Sequence, residues 1–425
     1  MRFKIVSVDN KGFEHIYYLD NKTLDITTDK NIPLCLHNDP RFRNLSKKYT
    51  QISQDEIISN EPKELRIQLG LNCNYSCKYC HQHFENKYIH EHKIQLPIHI
   101  RIKQFINLLQ EKKIKPKNIA LWGGEPLVYW KSIKILVPAL RKLYADIPIY
   151  FLTNGSLIND DIINFCLKYK LGITLSHDAQ AFSTYRNNKN PLDNPIIICA
   201  LKRYISTINS KDSNLRFNIN VVITPENSNL KEIDNYFTTK FGYPVNWSIE
   251  SIVRLGVEAS SVITPFSSLD EKQLHDSMLE LCLKGLPLGR GIDHHIYKVL
   301  NYFINNDMYT NQRYPCNNSS KDVLITTLDG TILACHGADE SYATIGHLNF
   351  LGSVKNTKLI AWKNRIQCQD CPFLLLCKGG CPLMKDEDIN AACHNLKLWY
   401  FGILKCVWLL LFNQNIQSIE PIKNT

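Results

Sequence analysis

Short apolar runs rich in β-branched residues alternate, between residues 64 and 252, with stretches whose apolar positions recur every three or four residues. The first pattern is typical of buried strands and the second of amphipathic helices. Strands that alternate with helices predict right-handed βαβ units and a parallel sheet. The predicted strands are ELRIQLG, NIALW, IPIYFLT, LGITLS, LRFNINVVI and PVNWSIESI, and the predicted helices between them include HIRIKQFINLLQEKK, WKSIKILVPALRKLY, INDDIINFCLKY and NLKEIDNYFTTKF.

Six such units predict an α/β fold with a partial (β/α)6 barrel of the TIM type over residues 63–265. Functional residues of such folds gather at the carboxyl ends of the strands. Five candidate residues fall at these ends in the sequence, namely Cys73, Glu125, Asn154, Ser176 and Asp178.

The flanking segments have patterns of their own. Residues 1–62 predict a small β-rich element, because FKIVSV, FEHIYYL and LDITTD are separated by Asp-Asn-Lys turns. Residues 266–310 predict a helical linker of two helices, the first capped by Ser268 or Asp270. Residues 396–425 predict a closing helix and tail. The apolar segment LWYFGILKCVWLLLF is shorter than the roughly 20 residues that a membrane span needs, so no span is expected.

Composition and charge add limited information. The chain has 425 residues, of which 44% are hydrophobic and 21% charged, as in ordinary globular proteins. Its formal charge of +10 is spread through lysine-rich helices, so we expect no nucleic-acid partner and only a mild attraction to acidic partners. The opening residues MRFKIVSVDN do not form a secretory signal, and together with the cysteine chemistry below they predict a cytoplasmic location.

Three cysteines follow the first predicted strand of the sheet. Cys73, Cys77 and Cys80 have C-x3-C-x2-C spacing in LGLNCNYSCKYCHQ. Thiolates select iron–sulfur clusters or zinc. Three thiolates on one loop would leave one iron of a [4Fe–4S] cluster open to a ligand, whereas zinc would take a fourth ligand from His81 or His83.

A second motif, GGEP, follows the second predicted strand. Gly123 and Gly124 permit a close approach to the backbone, and the Glu125 carboxylate can accept a charge-assisted hydrogen bond. An ordinary Gly-Gly turn before Pro126 is the alternative.

The cysteine loop, with aromatic Tyr79 before its last cysteine, resembles the signature of the radical S-adenosylmethionine (radical SAM) enzymes. The resemblance implies that SAM binds the open iron and is reductively cleaved to a 5′-deoxyadenosyl radical, which abstracts a hydrogen atom from a substrate carbon. It also implies that Glu125 receives the SAM ammonium. By resemblance alone, the SAM-binding residues are Tyr79, Gly123, Gly124, Glu125, Asn154, Ser176, Asp178 and Arg186. The alternative is a turn at Asn154-Gly155 and an internal hydrogen-bonding role for Ser176.

A cysteine-rich segment at residues 311–395 resembles the SPASM extension of radical SAM enzymes, a domain that holds two auxiliary [4Fe–4S] clusters. The resemblance assigns Cys316, Cys335 and Cys381 to the first auxiliary cluster, and Cys368, Cys371, Cys377 and Cys393 to the second. Asn317, Asn318 and Asp322 stand near the place of an eighth cysteine found in sulfatase-maturing relatives. The first cluster is therefore expected to have an open iron or a ligand other than cysteine, and a zinc ribbon is the alternative for the C-x2-C-x5-C-x3-C run.

The remaining cysteines include four in apolar surroundings, and free cysteine is among the most buried residue types. We therefore expect core packing for Cys166, Cys199, Cys282 and Cys406.

The resemblance implies an oxidoreductase-type radical SAM/SPASM enzyme that crosslinks or oxidises a side chain of a ribosomal peptide or protein. Its cofactors would be SAM and three [4Fe–4S] clusters. Its partners would be the peptide or protein substrate and a low-potential electron donor such as flavodoxin or ferredoxin. The alternatives are a formylglycine-forming sulfatase maturase, a small-molecule dehydrogenase and, in a different class, a non-catalytic iron–sulfur electron carrier.

Overall fold

The described part of the chain contains two β-sheets. The computed structural model describes residues 1–30, 34, 57–80, 96–186, 188–210, 215–250, 265–284, 292–305, 320–355, 365–384 and 386–422. The predicted residues Cys316, His81 and His83 lie outside this part of the chain.

The larger sheet has a parallel core in which six strands lie side by side in chain order. These strands confirm the six predicted from the sequence, and their pairing is parallel throughout. The closure of this sheet into a partial barrel stays a prediction. The strands are β4 (Glu64–Gln68), β5 (Asn118–Trp122), β6 (Ile149–Thr153), β7 (Leu171–Ser176), β8 (Phe217–Val222) and β9 (Trp247–Glu250).

Helices connect these strands and cover one face of the sheet. Their apolar residues join the strand residues Leu65, Ile67 and Ile119 in one large core, and side-chain caps at Asn159 and Asn229 begin α3 and α6. The four helices predicted between the strands are confirmed. The connecting helices are α1 (Ile98–Glu111), α2 (Trp130–Leu143), α3 (Asp160–Lys168), α4 (Phe182–Arg186), α5 (Pro195–Ser210) and α6 (Leu230–Phe241).

Helix α5 was not predicted, because its run of three isoleucines resembles a strand. Its buried residues Ile197, Leu201 and Ile208 nevertheless follow helical spacing. That spacing turns Cys199 outward, and its side chain is exposed. The expectation that Cys199 packs in the core is therefore wrong, whereas Cys166, Cys282 and Cys406 are buried as expected.

The C-terminal region extends the same sheet. Strand β10 (Val323–Thr327) pairs in parallel with β4. Strands β11 (Thr331–Leu333) and β12 (Thr344–His347) then continue the sheet in antiparallel fashion, with α9 (Glu340–Ala343) between them. A segment that the sequence assigns to a separate domain thus shares a sheet with the predicted barrel, and the division of the chain into domains stays a prediction.

The smaller sheet joins the two ends of the described chain. The predicted N-terminal strands are β1 (Arg2–Asp9), β2 (Glu14–Asp20) and β3 (Ile26–Thr28), and β13 (Gln414–Pro421) pairs antiparallel with β1. The Gln414 side chain accepts hydrogen bonds from Ser7 Oγ at 2.7 Å and from the Tyr17 hydroxyl at 3.1 Å.

The short helix α10 (Leu374–Cys377) precedes the long helix α11 (Asp386–Phe412). Two further long helices, α7 (Ser268–Leu283) and α8 (Asp293–Asn305), pack against α11. The cap of α7 differs from the prediction. Ser267 is the N-cap, and Asp270 completes a capping box with it, so Ser268 is the first residue of the helix.

Helix α11 is longer than the apolar segment counted from the sequence. Its residues Ala392–Phe412 satisfy the length and composition of a membrane-crossing helix, and it is the one such helix in the described part of the chain. Of the most apolar 18-residue window in this stretch, 61% is buried inside the protein. The helix contacts α7, α8 and β13, as expected for a closing helix.

Candidate functional site

The three N-terminal cysteines lie on a loop at the carboxyl edge of the parallel sheet. Cys73, Cys77 and Cys80 are each partly exposed. The loop is fixed from within, because the Tyr75 amide donates to Cys73 Sγ at 3.3 Å and the Cys80 amide donates to the Cys77 carbonyl at 3.1 Å. Three thiols at one edge of the sheet fit a cluster whose ligands come from a short loop.

The GGEP motif holds this loop in place. The Gly124 amide donates to the Gly70 carbonyl at 3.0 Å, and the Glu125 amide donates to the Asn72 carbonyl at 2.9 Å. A Cβ on Gly123 would lie 2.7 Å from the Gly70 oxygen, and one on Gly124 would lie 2.6 Å from the Asn72 carbonyl carbon. The absence of a side chain at Gly123 and Gly124 therefore lets the backbone that leads into the cysteine loop pack directly against the GGEP segment.

The Glu125 carboxylate is buried and links two strand ends. It accepts from the Leu127 amide at 2.9 Å, from Thr153 Oγ1 at 2.7 Å and from the Asn154 amide at 2.6 Å. Burial raises the pKa of Glu125 to about 7, against the opposing effect of these three donors. The contacts tie the GGEP segment to the end of β6, and contact with a SAM ammonium stays a prediction.

Asp178 and Arg186, both predicted to contact SAM, form a buried ion pair. Arg186 Nε and Nη2 donate to the two carboxylate oxygens of Asp178 at 2.7 and 3.0 Å. The Tyr79 hydroxyl donates to the same carboxylate at 2.5 Å, and the Val222 amide donates at 3.1 Å. Although burial alone would raise it, the Arg186 guanidinium lowers the pKa of Asp178 below its ordinary value.

This ion pair holds the cysteine loop in place through contacts with Tyr79. Arg186 also lies over the Tyr79 ring, 5.8 Å from its centroid. Burial raises the pKa of Tyr79 well above its ordinary value, so the phenol stays protonated and donates a hydrogen bond to Asp178. The aromatic residue of the cysteine motif is thereby connected to the ends of β7 and β8.

The predicted residues Asn154 and Ser176 lie at the same edge. The Asn154 side chain donates to Asn74 Oδ1 at 2.9 Å and accepts from Ser156 Oγ at 2.6 Å, so it joins the β6 end to the cysteine loop. Ser176 is half-buried at the end of β7 and pairs in register with Asn220. Their contact with a nucleoside stays a prediction.

Trp122, His336, Arg66 and Glu64 form a cluster that was not predicted from the sequence. The His336 ring lies against the Trp122 ring with centroids 3.7 Å apart, and Arg66 Nη1 lies 3.1 Å from His336 Nδ1. Arg66 also donates twice to Glu64, at 2.6 and 2.9 Å. Because a guanidinium is always a donor, His336 Nδ1 is an acceptor. Alternation along β4 marks Glu64, Arg66 and Gln68 as one polar face, but no local pattern in the sequence indicates His336 as a partner of this face.

Contacts of the same cluster join the cysteine-rich region to strand β4 of the parallel sheet. The Gln68 amide donates to the carbonyls of His336 and Ala338 at 2.9 and 3.1 Å. The Trp122 indole N–H is buried and has no hydrogen-bond partner among the described residues. Trp122 directly precedes the GGEP motif, so an unused donor lies beside the predicted SAM site.

Four C-terminal cysteines line one cavity. Cys368, Cys371, Cys377 and Cys393 border it together with apolar residues that include Phe373. They are the four residues that the resemblance assigned to the second auxiliary cluster. Burial raises the pKa of the Cys377 thiol to about 12, and a bound metal would reverse this by favouring the thiolate.

The described residues of the first auxiliary set also lie together. Cys335 belongs to a small apolar cluster with Val323 and Leu383, and Cys381 packs against it. The Gly337 amide donates to Cys335 Sγ at 3.4 Å. The third predicted ligand, Cys316, falls outside the described residues.

Among the described residues, no three His, Cys, Asp or Glu side chains are placed to hold a single metal ion. The second auxiliary set surrounds a cavity instead. A set made of thiols alone fits an iron–sulfur cluster, whose irons are held by cysteine thiolates.

Comparison with known proteins agrees with this geometry. Residues 67–233 match the Radical SAM superfamily. The radical SAM cyclopropyl synthase TigE of Paramaledivibacter caminithermalis is 24% identical over 343 residues, which cover 75% of this chain and 67% of that protein. A GTP 3′,8-cyclase of Clostridium perfringens is 25% identical over 194 residues, or 45% of this chain and 56% of that protein.

Solved structures share the fold. The structure of native anSMEcpe with bound AdoMet and Cp18Cys peptide matches with a TM-score of 0.56 at 17% identity, covering 82% of this chain and 99% of that one. The structure of native anSMEcpe with bound AdoMet and Kp18Cys peptide gives a TM-score of 0.57 at 19% identity, covering 82% and 99%. Residues 67–233 therefore match the Radical SAM superfamily, and the chain is similar in fold to solved structures whose titles name bound AdoMet.

Proposed function

We propose that this chain cleaves SAM reductively and uses the resulting radical to abstract hydrogen from a side chain of a peptide or protein. The observation that carries the proposal is the arrangement at the sheet edge, where Glu125 and the Asp178–Arg186 pair hold the Cys73–Cys80 loop. When bound there, a [4Fe–4S] cluster with an open iron supplies the binding point for SAM and the electron that breaks its sulfonium carbon–sulfur bond.

The protein itself positions the cysteine loop and keeps water away from the hydrogen bonds that hold it. Tyr79, Asp178 and Arg186 fix the loop through hydrogen bonds that are buried from water. Rigid placement matters because a radical reacts with whatever hydrogen lies nearest, and alignment of reacting groups is worth several kcal/mol of barrier, about 7–11 in the best cases.

The polar face of the parallel sheet supports a substrate without a high negative charge. Among the strand side chains described on this face, the charged ones are Glu64 and Arg66, and they pair with each other. Their neighbours Asn218, Asn220 and Ser248 are neutral and bond to one another. Amides and hydroxyls suit peptide groups, whereas a nucleoside triphosphate requires several cations.

The C-terminal cysteines support peptide maturation through a SPASM domain. The four thiols around one cavity fit one auxiliary cluster, and Cys335 and Cys381, which share a small apolar cluster, fit part of a second. Similarity to TigE, which is named a radical SAM cyclopropyl synthase, favours a reaction other than GTP cyclisation, because the alignment with TigE covers 75% of this chain and that with the GTP 3′,8-cyclase covers 45%. Sulfatase maturation, dehydrogenation of a small molecule and simple electron transfer are the competing functions.

The test uses the full chain, reconstituted anaerobically with iron and sulfide and supplied with SAM and dithionite. The substrates compared are a short peptide encoded beside the gene and GTP. We expect the peptide to lose hydrogen by mass spectrometry, and deuterium placed at the reacting carbon to appear in 5′-deoxyadenosine. Conversion of GTP with no change in the peptide would refute the substrate class, and a formylglycine product would reassign the chain to sulfatase maturation.

A further inference from the structure

We infer that Arg365 is a positioning residue for the two auxiliary cysteine sets, which it joins, and that its guanidinium supplies positive charge to their thiolates. This inference rests on the auxiliary clusters of the proposed function. It concerns a residue that belongs to neither cysteine set and that lies outside the cysteine motifs of the sequence.

The Arg365 side chain holds the backbone of the first auxiliary set. Its Nη2 atom donates to the Cys381 carbonyl at 3.1 Å and to the Met384 carbonyl at 2.6 Å. The Met384 amide donates to the same Cys381 carbonyl at 3.0 Å, which closes the turn after this cysteine. The guanidinium therefore fixes the turn that carries Cys381, and Cys381 packs against the apolar cluster that contains Cys335.

The Arg365 backbone and charge reach the second auxiliary set. Arg365 is the N-cap of the short 3₁₀-helix Ile366–Cys368, and its carbonyl accepts from the Cys368 amide at 3.1 Å. Burial raises the pKa of the Cys393 thiol, and the positive charges of Lys397 and Arg365 oppose this effect. One residue is thus bonded to the chain of both sets and lies within electrostatic reach of a thiol of the second.

Burial makes the charge of Arg365 more effective than that of a surface residue. Only 1% of Arg365 is exposed, and a guanidinium keeps its proton in proteins. Water and salt screen buried charges much less than exposed ones. Cysteine thiolates bring negative charge to an iron–sulfur site, and the net charge around a cluster is one of the factors that set its reduction potential. A buried positive charge beside the thiolates favours the reduced form, which carries one more negative charge.

The test uses the full chain, reconstituted anaerobically with iron and sulfide. Arg365→Gln removes the charge, and Arg365→Lys keeps the charge but removes the guanidinium. Lys397→Gln is the control, because Lys397 borders the cavity of the second set but is exposed. The measurements are the iron content per chain and the midpoint potentials of the auxiliary clusters, followed by electron paramagnetic resonance.

We expect Arg365→Gln to make reduction of an auxiliary cluster about tenfold less favourable, which lowers its midpoint potential by about 59 mV for one electron. Arg365→Lys should stay closer to the wild type, and Lys397→Gln should shift the potential less. Loss of auxiliary iron from Arg365→Gln but not from Arg365→Lys would support the same role. An unchanged potential in Arg365→Gln, an equal shift in Lys397→Gln, or equal losses in the two Arg365 variants would overturn the inference.

Failure of the proposed function is seen in the wild type. A wild type that binds only the roughly four irons of one cluster, at the Cys73–Cys80 loop, would refute the auxiliary clusters and this inference with them. A wild type that holds auxiliary iron but forms no 5′-deoxyadenosine would refute SAM cleavage alone, and the effect of Arg365 on the potentials would still be measured.

Discussion

The ion pair between Asp178 and Arg186 is the best-defined feature of the site at the scale of single residues. Both side chains are almost completely buried, and Tyr79 and the Val222 amide complete the hydrogen bonds of the carboxylate. A buried pair contributes little net stability against an apolar replacement, but a broken pair leaves one charge without its partner. The Asp178–Arg186 pair matters here because it fixes the cysteine loop through Tyr79.

Arg186→Met should therefore destabilise the fold more than the small change in side-chain volume suggests. Loss of the guanidinium leaves the Asp178 carboxylate buried, at an expected cost of about 3–5 kcal/mol in the free energy of unfolding. The double variant Arg186→Met/Asp178→Asn should recover part of this loss. Urea unfolding of the wild type, both single variants and the double variant measures the coupling, and strictly additive losses would contradict the account.

Glu125 gives a pH dependence of known sign. Burial raises its pKa from 4.5 to about 7, so the folded state holds a proton between these values that the unfolded state releases. Stability from this group is complete below pH 4.5 and decreases as the pH rises through 7, by about 3 kcal/mol.

Glu125→Gln cannot titrate, so the difference in unfolding free energy between wild type and this variant should change across that window. The difference is the proper observable, because burial lowers the pKa of both His177 and His295 to about 4 and gives a slope of opposite sign in both proteins. A difference that stays constant from pH 4.5 to 7 would show that the carboxylate is ionised throughout.

At the scale of elements, the turn after β5 and the loop after β4 form one unit. Gly124→Ala would press a methyl group against the Leu71 and Asn72 carbonyls, and overpacking of this kind costs about 1–3 kcal/mol. Because the affected backbone leads into Cys73, the variant should also bind less iron at this loop and form less 5′-deoxyadenosine. Gly352→Ala is the matched control, since a Cβ there meets nothing within 4 Å. Equal behaviour of the two variants would argue against the proposed contact.

The second auxiliary set should behave as a separate unit. Cys377→Ala removes one of four thiols around its cavity, and the reconstituted protein is expected to lose about four irons per chain while the Cys73–Cys80 loop keeps its own. Cys406→Ala, which removes a buried cysteine outside both auxiliary sets, should leave the iron content unchanged. Iron analysis with electron paramagnetic resonance decides the point, and an unchanged iron content in Cys377→Ala would contradict the assignment.

For the whole molecule, local patterns predicted most of the parallel sheet and few of the contacts made over long distances in the chain. Strand β7 was predicted to the residue, since its buried run has clear ends. Strand β13 was missed because QNIQSIEP is half polar, and its partner β1 lies at the other end of the chain. Strand β10 was also missed, although VLITT is buried throughout, because its place beside β4 depends on tertiary pairing.

The candidate site divides in the same way. The family resemblance assigned Cys368, Cys371, Cys377 and Cys393 to one set, and these four residues line one cavity. The cluster of Trp122, His336 and Arg66 could not be predicted, since it joins residues 270 positions apart and has no local motif. The pairing of Asp178 with Arg186 was also missed, although they are 8 residues apart, because each was assigned separately to SAM.

The most direct test of the central claim is the formation of 5′-deoxyadenosine by the anaerobically reconstituted chain with SAM and dithionite. The account predicts this product from the wild type, and its loss in Cys77→Ala even when the auxiliary irons remain. Full iron loading of the wild type without any 5′-deoxyadenosine, or equal product from Cys77→Ala, would contradict it.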